Sequence, residues 1–204
     1  MSASTDPGTL AIALREWAVV SATLTAGQTI LAVRKGGIHE RGGGLFVPEH
    51  ERFLLLPSWL HQDAARLRPD VAEAWADVLA GDPRPGTITL AAWATVERTW
   101  KVTDARVLDR LADELVLSVA EAKTRFAYRD QPWLYVLALR VHHLPTAVHL
   151  PDDPSYAGCR SWVPLNTTVA TSIATTGSEP VLSDPAFADR LAALFDILDP
   201  TQHP

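Results

Sequence analysis

The sequence contains one cysteine and no long apolar run. With Cys159 alone among 204 residues, no disulfide can form within the chain, and such chains are typical of a reducing compartment. The longest apolar runs, 53–57 and 133–139, are far shorter than the roughly 20 residues that span a bilayer. Residues 1–8 carry neither the basic nor the apolar segment of a secretion signal. We therefore predict a cytoplasmic protein with no membrane association.

The chain also has no excess of basic charge. Lys and Arg number 18 and Asp and Glu number 24, which gives a formal net charge of −6. An acidic total disfavours strong non-specific binding to nucleic acid, although a local basic patch is still compatible with it. The length and a hydrophobic content of 47% are enough for a core that needs no metal or disulfide. We predict one α+β domain over 9–199, short tails at 1–8 and 200–204, and no cofactor.

Apolar spacing predicts helices and strands without strict βαβ alternation. Helical spacing is found over 9–24, 69–79, 103–125 and 184–198. Extended stretches are expected over 28–34, 45–57, 87–102, 132–144 and 161–165. This order predicts an α+β fold with a mixed or largely antiparallel sheet and about four helices packed outside it.

The densest polar cluster combines basic residues with a glycine-rich stretch. Glycine-rich backbone can approach a phosphate closely, and arginine or lysine adds charge-assisted hydrogen bonds. Two tryptophans next to polar motif residues could stack on a base. The candidate anion or nucleic-acid site consists of Arg34, Lys35, Gly36, Gly37, His39, Glu49, His50, Arg52, Trp59 and Trp162. No metal site is predicted, because the histidines lack the usual ligand spacing.

Two of these segments are expected to meet as a hairpin. The apolar run 30–33 ends at Arg34, and the run 53–56 begins after Arg52. Strands joined by a short connection usually pair antiparallel. Arg34 and Arg52 would then lie at one end of the hairpin, with Glu49 and His50 nearby.

Several segments, taken in order, resemble the bacterial family of domains of unknown function 1802. The most specific strings are Arg-Lys-Gly-Gly-Ile-His-Glu at 34–40 and Glu-His-Glu-Arg-Phe at 49–53. Further matching segments are 14–20, 54–57, 61–62, 132–137 and 158–163. The family has no assigned activity. Some members look fused to restriction-endonuclease-like domains, so the resemblance implies a link to DNA restriction or processing without a mechanism.

The order of strand 87–102, helix 103–125 and strand 132–144 resembles part of a PUA-like pseudobarrel. That group includes RNA-binding domains and readers of modified bases. The resemblance therefore implies a nucleic acid or nucleotide as partner, and a binding module is the function predicted here.

Two alternatives remain open from the sequence. One is a hydrolase or nuclease that acts through His39, Glu40, Glu49, His50 and His61, which requires those side chains to converge in one cleft. The other is a structural domain that binds a protein partner through an exposed apolar patch. His142 and His143, at the end of the strongest predicted strand, are interpreted as ordinary strand-end residues.

Overall fold

The computed structural model describes residues 10–35, 45–82, 85–156, 160–166, 173 and 175–199. Within these residues the strands are β1 Ile12–Trp17, β2 Leu31–Arg34, β3 Arg52–Ser58, β4 Thr87–Val102, β5 Leu134–Pro151, β6 Trp162–Pro164 and β7 Glu179–Pro180. The α-helices are α1 Ala18–Thr25, α2 Pro69–Ala74, α3 Ala76–Leu79, α4 Arg106–Arg110, α5 Val119–Phe126 and α6 Asp184–Leu198. Short 3₁₀ turns lie at Ala64–Arg66, Tyr128–Asp130 and Pro154–Tyr156.

The strands of the described chain form a single sheet. Its order is β2-β5-β4-β3-β1-β6, and β7 also pairs with β5. Only β1 and β3 run parallel among the described strands, and the other pairs are antiparallel. The longest ladder joins β4 to β5, from Thr87 opposite Pro151 to Val102 opposite Leu134. The predicted α+β class with a mixed, largely antiparallel sheet is confirmed.

Strand β3 is buried on both faces because the sheet separates two apolar clusters. Phe53 and Leu55 belong to the larger cluster, and Leu54 and Leu56 belong to the smaller one. All four side chains are at most 2% exposed. A shift of β3 by one residue would exchange its two faces, so burial on both sides fixes the register of the strand. This register also fixes the position of Arg52, the first residue of β3.

The predicted helix over 9–24 is wrong in its first half. Residues Ile12–Trp17 form β1, and α1 begins only at Ala18. The apolar residues of this segment fit both a helical stripe and a strand with both faces covered. Pairing decides for the strand, because β3 lies along one edge of β1 and β6 along the other.

Two of the other predicted helices are each divided in two. The segment 69–79 breaks at Trp75, whose φ of −116° and ψ of 28° are not helical. The segment 103–125 contains α4 and α5, and the Ser118 hydroxyl caps the second of these by accepting from the Glu121 N–H at 3.2 Å. These breaks explain why the described chain has six α-helices instead of about four.

The predicted hairpin between 30–33 and 53–56 is also wrong. Strand β2 pairs with β5, from Leu31 opposite Ala138 to Arg34 opposite Tyr135. Strand β3 has no free edge for β2, since β1 occupies one side and β4 the other. Arg34 and Arg52 therefore do not share the end of a hairpin.

The sheet curls into a half-barrel until its two ends come into contact. Arg34 is the last residue of β2, the strand at one edge of the sheet. Its side chain forms an ion pair with Glu16 of β1 and donates to the hydroxyl of Ser161, the residue just before β6 at the other edge. Segment 45–47 reinforces this closure: the Phe46 N–H donates to the Lys35 carbonyl at 3.0 Å, and the Trp162 indole N–H donates to the Val47 carbonyl at 2.8 Å. We call this junction the seam.

No helix in the part of the chain that the structure describes is long and apolar enough to cross a membrane.

Candidate functional site

Sheet register brings Arg52, Trp93 and His142 together on one face of the three central strands. Trp93 of β4 lies opposite Leu54 of β3 and opposite His142 of β5. Leu54 is two residues after Arg52 on β3, so Leu54 and Arg52 share a face. Side chains two residues apart on a strand share a face, and cross-strand neighbours on that face contact one another. The three side chains therefore meet although about 90 residues of chain separate the first from the last. We call them the Arg52 stack.

The stack is a layered arrangement of a cation and two aromatic rings. The Arg52 Cζ lies 4.3 Å from the Trp93 ring centroid. The His142 ring lies 4.2 Å from the same indole, with an interplanar angle of 9°. Because β4 lies between β3 and β5, Arg52 and His142 approach the indole from opposite sides. Trp93 is only 8% exposed, so its neighbours are the groups that a ligand would meet.

Segment 175–178 lies against the stack and supplies two hydroxyl groups. An Arg52 Nη2–H donates to Thr175 Oγ1 at 3.1 Å, and the Trp93 indole N–H donates to Ser178 Oγ at 2.9 Å. The Ser178 N–H donates to the Thr175 carbonyl at 3.1 Å, which folds the segment into a turn.

Arg52 has polar groups that the protein leaves unused. Within the described residues, no Asp or Glu oxygen lies within 4.0 Å of its guanidinium nitrogens. Its Nε is buried and has no hydrogen-bond partner there, and the same holds for Nδ1 of His142. Buried polar atoms without a partner are rare in folded proteins, and Nε of Arg34 at the seam is another within the described residues.

The surroundings of His142 are electropositive. Burial lowers the pKa of His142 below its ordinary value, and the charges of Arg140 and then Arg52 lower it further. The Glu97 carboxylate acts weakly in the opposite direction, and it also accepts a hydrogen bond from the Thr95 hydroxyl at 2.9 Å. The imidazole is therefore neutral at pH 7, and the stack carries the charge of Arg52 alone.

The lowered pKa of His142 predicts a pH dependence of stability. Below about pH 6.5 the unfolded chain binds a proton at His142 while the folded chain still does not. The free energy of unfolding therefore decreases as the pH is lowered through this window. His142→Phe keeps a ring beside Trp93 and removes the titrating group. We expect the loss of stability between about pH 7 and about pH 5 to be smaller in His142→Phe than in the wild type, as measured by urea unfolding.

His143→Phe is the matched control, because His143 is the next residue along β5 and its side chain is exposed. It should retain the wild-type pH dependence. If His142→Phe also retained the wild-type pH dependence, the loss of stability at low pH would arise from protonation of a group other than His142.

Comparison with known families shows the family to which the chain belongs. The family model described as "Domain of unknown function (DUF1802)" matches residues 13–193. The chain belongs to the DUF1802 family. Among curated proteins, none matches it.

The fold of this DUF1802 chain is similar to that of crystal structures of an ASCH protein from Zymomonas mobilis. One, a serine-to-alanine mutant, is 11% identical over 81% of this chain and 95% of that one, with a TM-score of 0.46. The structure titled as ASCH without a mutation is 13% identical over 90% and 94% of the two chains, with a TM-score of 0.40. At this identity and TM-score the likeness says nothing about activity.

In this DUF1802 chain the side chain of Arg34, which the sequence predicts to contact a phosphate, is bonded to other groups of the protein. Its side chain is 12% exposed and pairs with Glu16, which is 5% exposed. It also donates to the Arg15 carbonyl at 3.1 Å and to the Ser161 hydroxyl. These contacts join the two ends of the sheet, so Arg34 stabilises the seam and has little capacity left for a ligand.

Lys35 is likewise engaged by the protein. The residue is 4% exposed, and its ammonium group donates to the carbonyls of Phe126, Gln131 and Trp133. The ammonium also lies 4.3 Å from the Trp133 ring centroid. Burial, together with the charge of Lys101, lowers the pKa of Lys35. Lys35 thus fixes the turn that leads into β5.

The two candidate stacking tryptophans also bond to backbone carbonyls. The Trp59 indole N–H donates to Val78 at 2.9 Å. Trp162 packs against Phe46, His50 and Phe53, with ring centroids 4.9 to 5.5 Å apart, and its indole N–H donates across the seam. Both residues are half-buried, and Trp162 packs against the edge of the larger apolar cluster.

Of the remaining predicted site residues, Glu49 is exposed, and His50 lies at the seam beside Trp162. Gly36, Gly37 and His39 lie outside the described residues, as do Glu40 and Cys159. The structure therefore places His50 and Arg34 around one aromatic cluster at the seam, whereas Arg52 belongs to a separate stack.

The catalytic alternative requires histidines and carboxylates that converge. His50 packs edge-on against Trp162, and His61 is an exposed turn residue with φ of 60°. Over the described ranges, no group of three or more His, Cys, Asp or Glu side chains is arranged to hold a metal ion.

Sequence reasoning identified Arg52 but missed Trp93 and His142. Trp93 lies within the predicted strand 87–102, and His142 lies within 132–144. The available signal was a tryptophan and a histidine in neighbouring strands, both next to apolar residues. Their contact depends on the pairing of β4 with β5, which includes register shifts between Leu90 and Ala92 and between Val96 and Arg98.

Proposed function

We propose that this DUF1802 chain is a binding module for a nucleic acid or nucleotide and that Arg52 contacts a phosphate. The observation that supports this most strongly is the state of the Arg52 guanidinium. It lies on Trp93 with no carboxylate partner among the described residues. A partly buried cation is usually paired, and a phosphate pairs well with arginine.

Three other partly buried arginines differ from Arg52 in having a carboxylate partner, whereas half-buried Arg190 donates to the Gly27 carbonyl at 2.9 Å. Arg34 pairs with Glu16, Arg125 with Glu121 at 2.9 Å, and Arg140 with Asp184. At these three positions the burial of arginine comes with an acidic side chain from the protein. We infer that at Arg52 the ligand supplies the negative charge.

The acidic total charge is compatible with this proposal because the stack is locally basic. Arg52 and Arg140 both raise the electrostatic potential at His142. Local charge distribution, not the sum over the chain, governs how an anion is attracted. The link to DNA restriction or processing that the family resemblance implies stays a prediction.

The test is a binding titration of the full chain against single- and double-stranded DNA and RNA at about 50 mM and about 200 mM salt. Phosphate contacts release counterions, so affinity should fall as salt rises. Arg52→Ala is expected to weaken binding about tenfold or more and to reduce the salt slope by about 1. Fluorescence anisotropy measures both quantities.

Arg106→Ala is the matched control, since Arg106 is a 90%-exposed arginine paired with Asp104 two residues away. It should bind as the wild type does. Absence of binding at low salt, or equal loss in the two variants, would contradict the proposal.

A further inference from the structure

The hydroxyl groups beside Arg52 restrict the chemical class of ligand that this position can bind. Thr175 Oγ1 accepts from Arg52, and Ser178 Oγ accepts from the Trp93 indole. A hydroxyl is one donor and two acceptors. Within the described residues neither hydroxyl donates to a protein acceptor. The protein therefore uses the oxygens of Thr175 and Ser178 and leaves their protons for another acceptor.

The unused hydrogen-bonding capacity at this position is rich in donors. Within the described residues it comprises the two hydroxyl protons and the N–H groups of Arg52 other than the Nη2–H that is bonded to Thr175. The nearby carboxylate, Glu97, accepts from the Thr95 hydroxyl and lies on an exposed part of β4. A ligand that matches this set presents several anionic oxygens at one atom and needs no donor of its own.

We propose that the Arg52 stack binds a phosphate monoester, as found at the end of a nucleic-acid strand or on a free mononucleotide. This inference rests on the proposed function and names its ligand class. A monoester has three terminal oxygens and a charge of about −1.5 to −2 at pH 7, whereas an internal phosphodiester has two free oxygens and a single charge. A donor-rich set of this kind is matched better by the three oxygens and higher charge of a monoester than by the two free oxygens of a diester.

The partial burial of the stack supports the same class. Trp93 is 8% exposed, and Arg52, Thr175 and Ser178 are each half-buried. A terminal phosphate has a sugar on one side only, so it can approach a half-buried arginine more closely than an internal phosphate, which has a sugar on both sides. Arg52 therefore favours a terminal group over the backbone of a continuous helix.

The experiment compares the same single-stranded 12-mer with a 5′-phosphate, with a 3′-phosphate and with hydroxyl groups at both ends, as DNA and as RNA. Nucleoside monophosphates and inorganic phosphate are used as competitors, which separates a strand end from a free nucleotide as the source of the monoester. We expect one phosphorylated end to bind about tenfold more tightly than the hydroxyl form. Fluorescence anisotropy with the full chain gives each Kd.

Thr175→Val and Ser178→Ala each remove one hydroxyl proton and should reduce this preference. Thr176→Val is the control, because Thr176 is the exposed neighbour of Thr175 in the same turn; it should keep the preference. Equal binding of phosphorylated and hydroxyl ends would overturn the monoester assignment and leave the nucleic-acid proposal standing. If neither strands nor mononucleotides bound, the monoester assignment and the proposed function would both be overturned. If mononucleotides alone bound, the monoester would be a free nucleotide and not a strand end.

Discussion

Replacing Arg34 with alanine is expected to lower the free energy of unfolding by about 3–5 kcal/mol, because it leaves the Glu16 carboxylate buried without its partner. The two side chains are 12% and 5% exposed, and the contact joins the two ends of the sheet. Ligand affinity per folded molecule should stay at the wild-type value, since Arg34 is not part of the Arg52 stack. Urea unfolding and the anisotropy titration measure the two effects separately.

A double substitution distinguishes a lost charge partner from lost packing. In Arg34→Met with Glu16→Leu no unpaired charge remains, and buried ion pairs replaced by apolar residues are often near neutral in stability. The double variant should therefore be more stable than Arg34→Ala. A weakened affinity in Arg34→Ala, with an unchanged unfolding midpoint, would instead support the phosphate role that the sequence suggests for Arg34.

Replacing Lys35 with methionine is the second change with a large expected effect. The substitution keeps an unbranched apolar stem and removes the ammonium that donates to Phe126, Gln131 and Trp133. Carbonyls left without a donor cost about 1–3 kcal/mol each where they are buried. We expect a loss of about 3 kcal/mol in the free energy of unfolding, with partial compensation by water.

Lys101→Met is the control for Lys35→Met. The Lys101 ammonium lies 4.4 Å from the same Trp133 ring but its side chain is exposed, so its removal should cost less than about 1 kcal/mol. Equal losses in the two variants would mean that contact with the ring, not the three carbonyls, accounts for the stability that Lys35 provides.

Local pattern predicted several elements well. The strand over 87–102 and the helix over 184–198 have the observed bounds. Both depend on information within the segment: β-branched and aromatic residues in the strand, and Ser183 with Pro185 at the start of the helix. The class of the fold followed from such segments.

Pairing between distant strands could not be predicted in the same way. Arg34 and Arg52 looked alike in the sequence, each charged and next to an apolar run. The first lies opposite Tyr135 and reaches Glu16, whereas the second lies opposite Thr95 and reaches Trp93. Which charges are paired depends on the order of strands in the sheet, and a hydrophobic pattern does not encode that order.

The position of β1 has a consequence for biosynthesis. Strand β1 lies between β3 and β6, and its Ala13 pairs with both Leu54 and Val163. A ribosome produces β1 before either neighbour, so Leu14, which ends up fully buried, lacks its pairing with Leu55 until β3 is made and its pairing with Trp162 until β6 is made. Unpaired apolar strands are prone to aggregate. We therefore expect the first strand of the nascent chain to need shielding until the later strands are made.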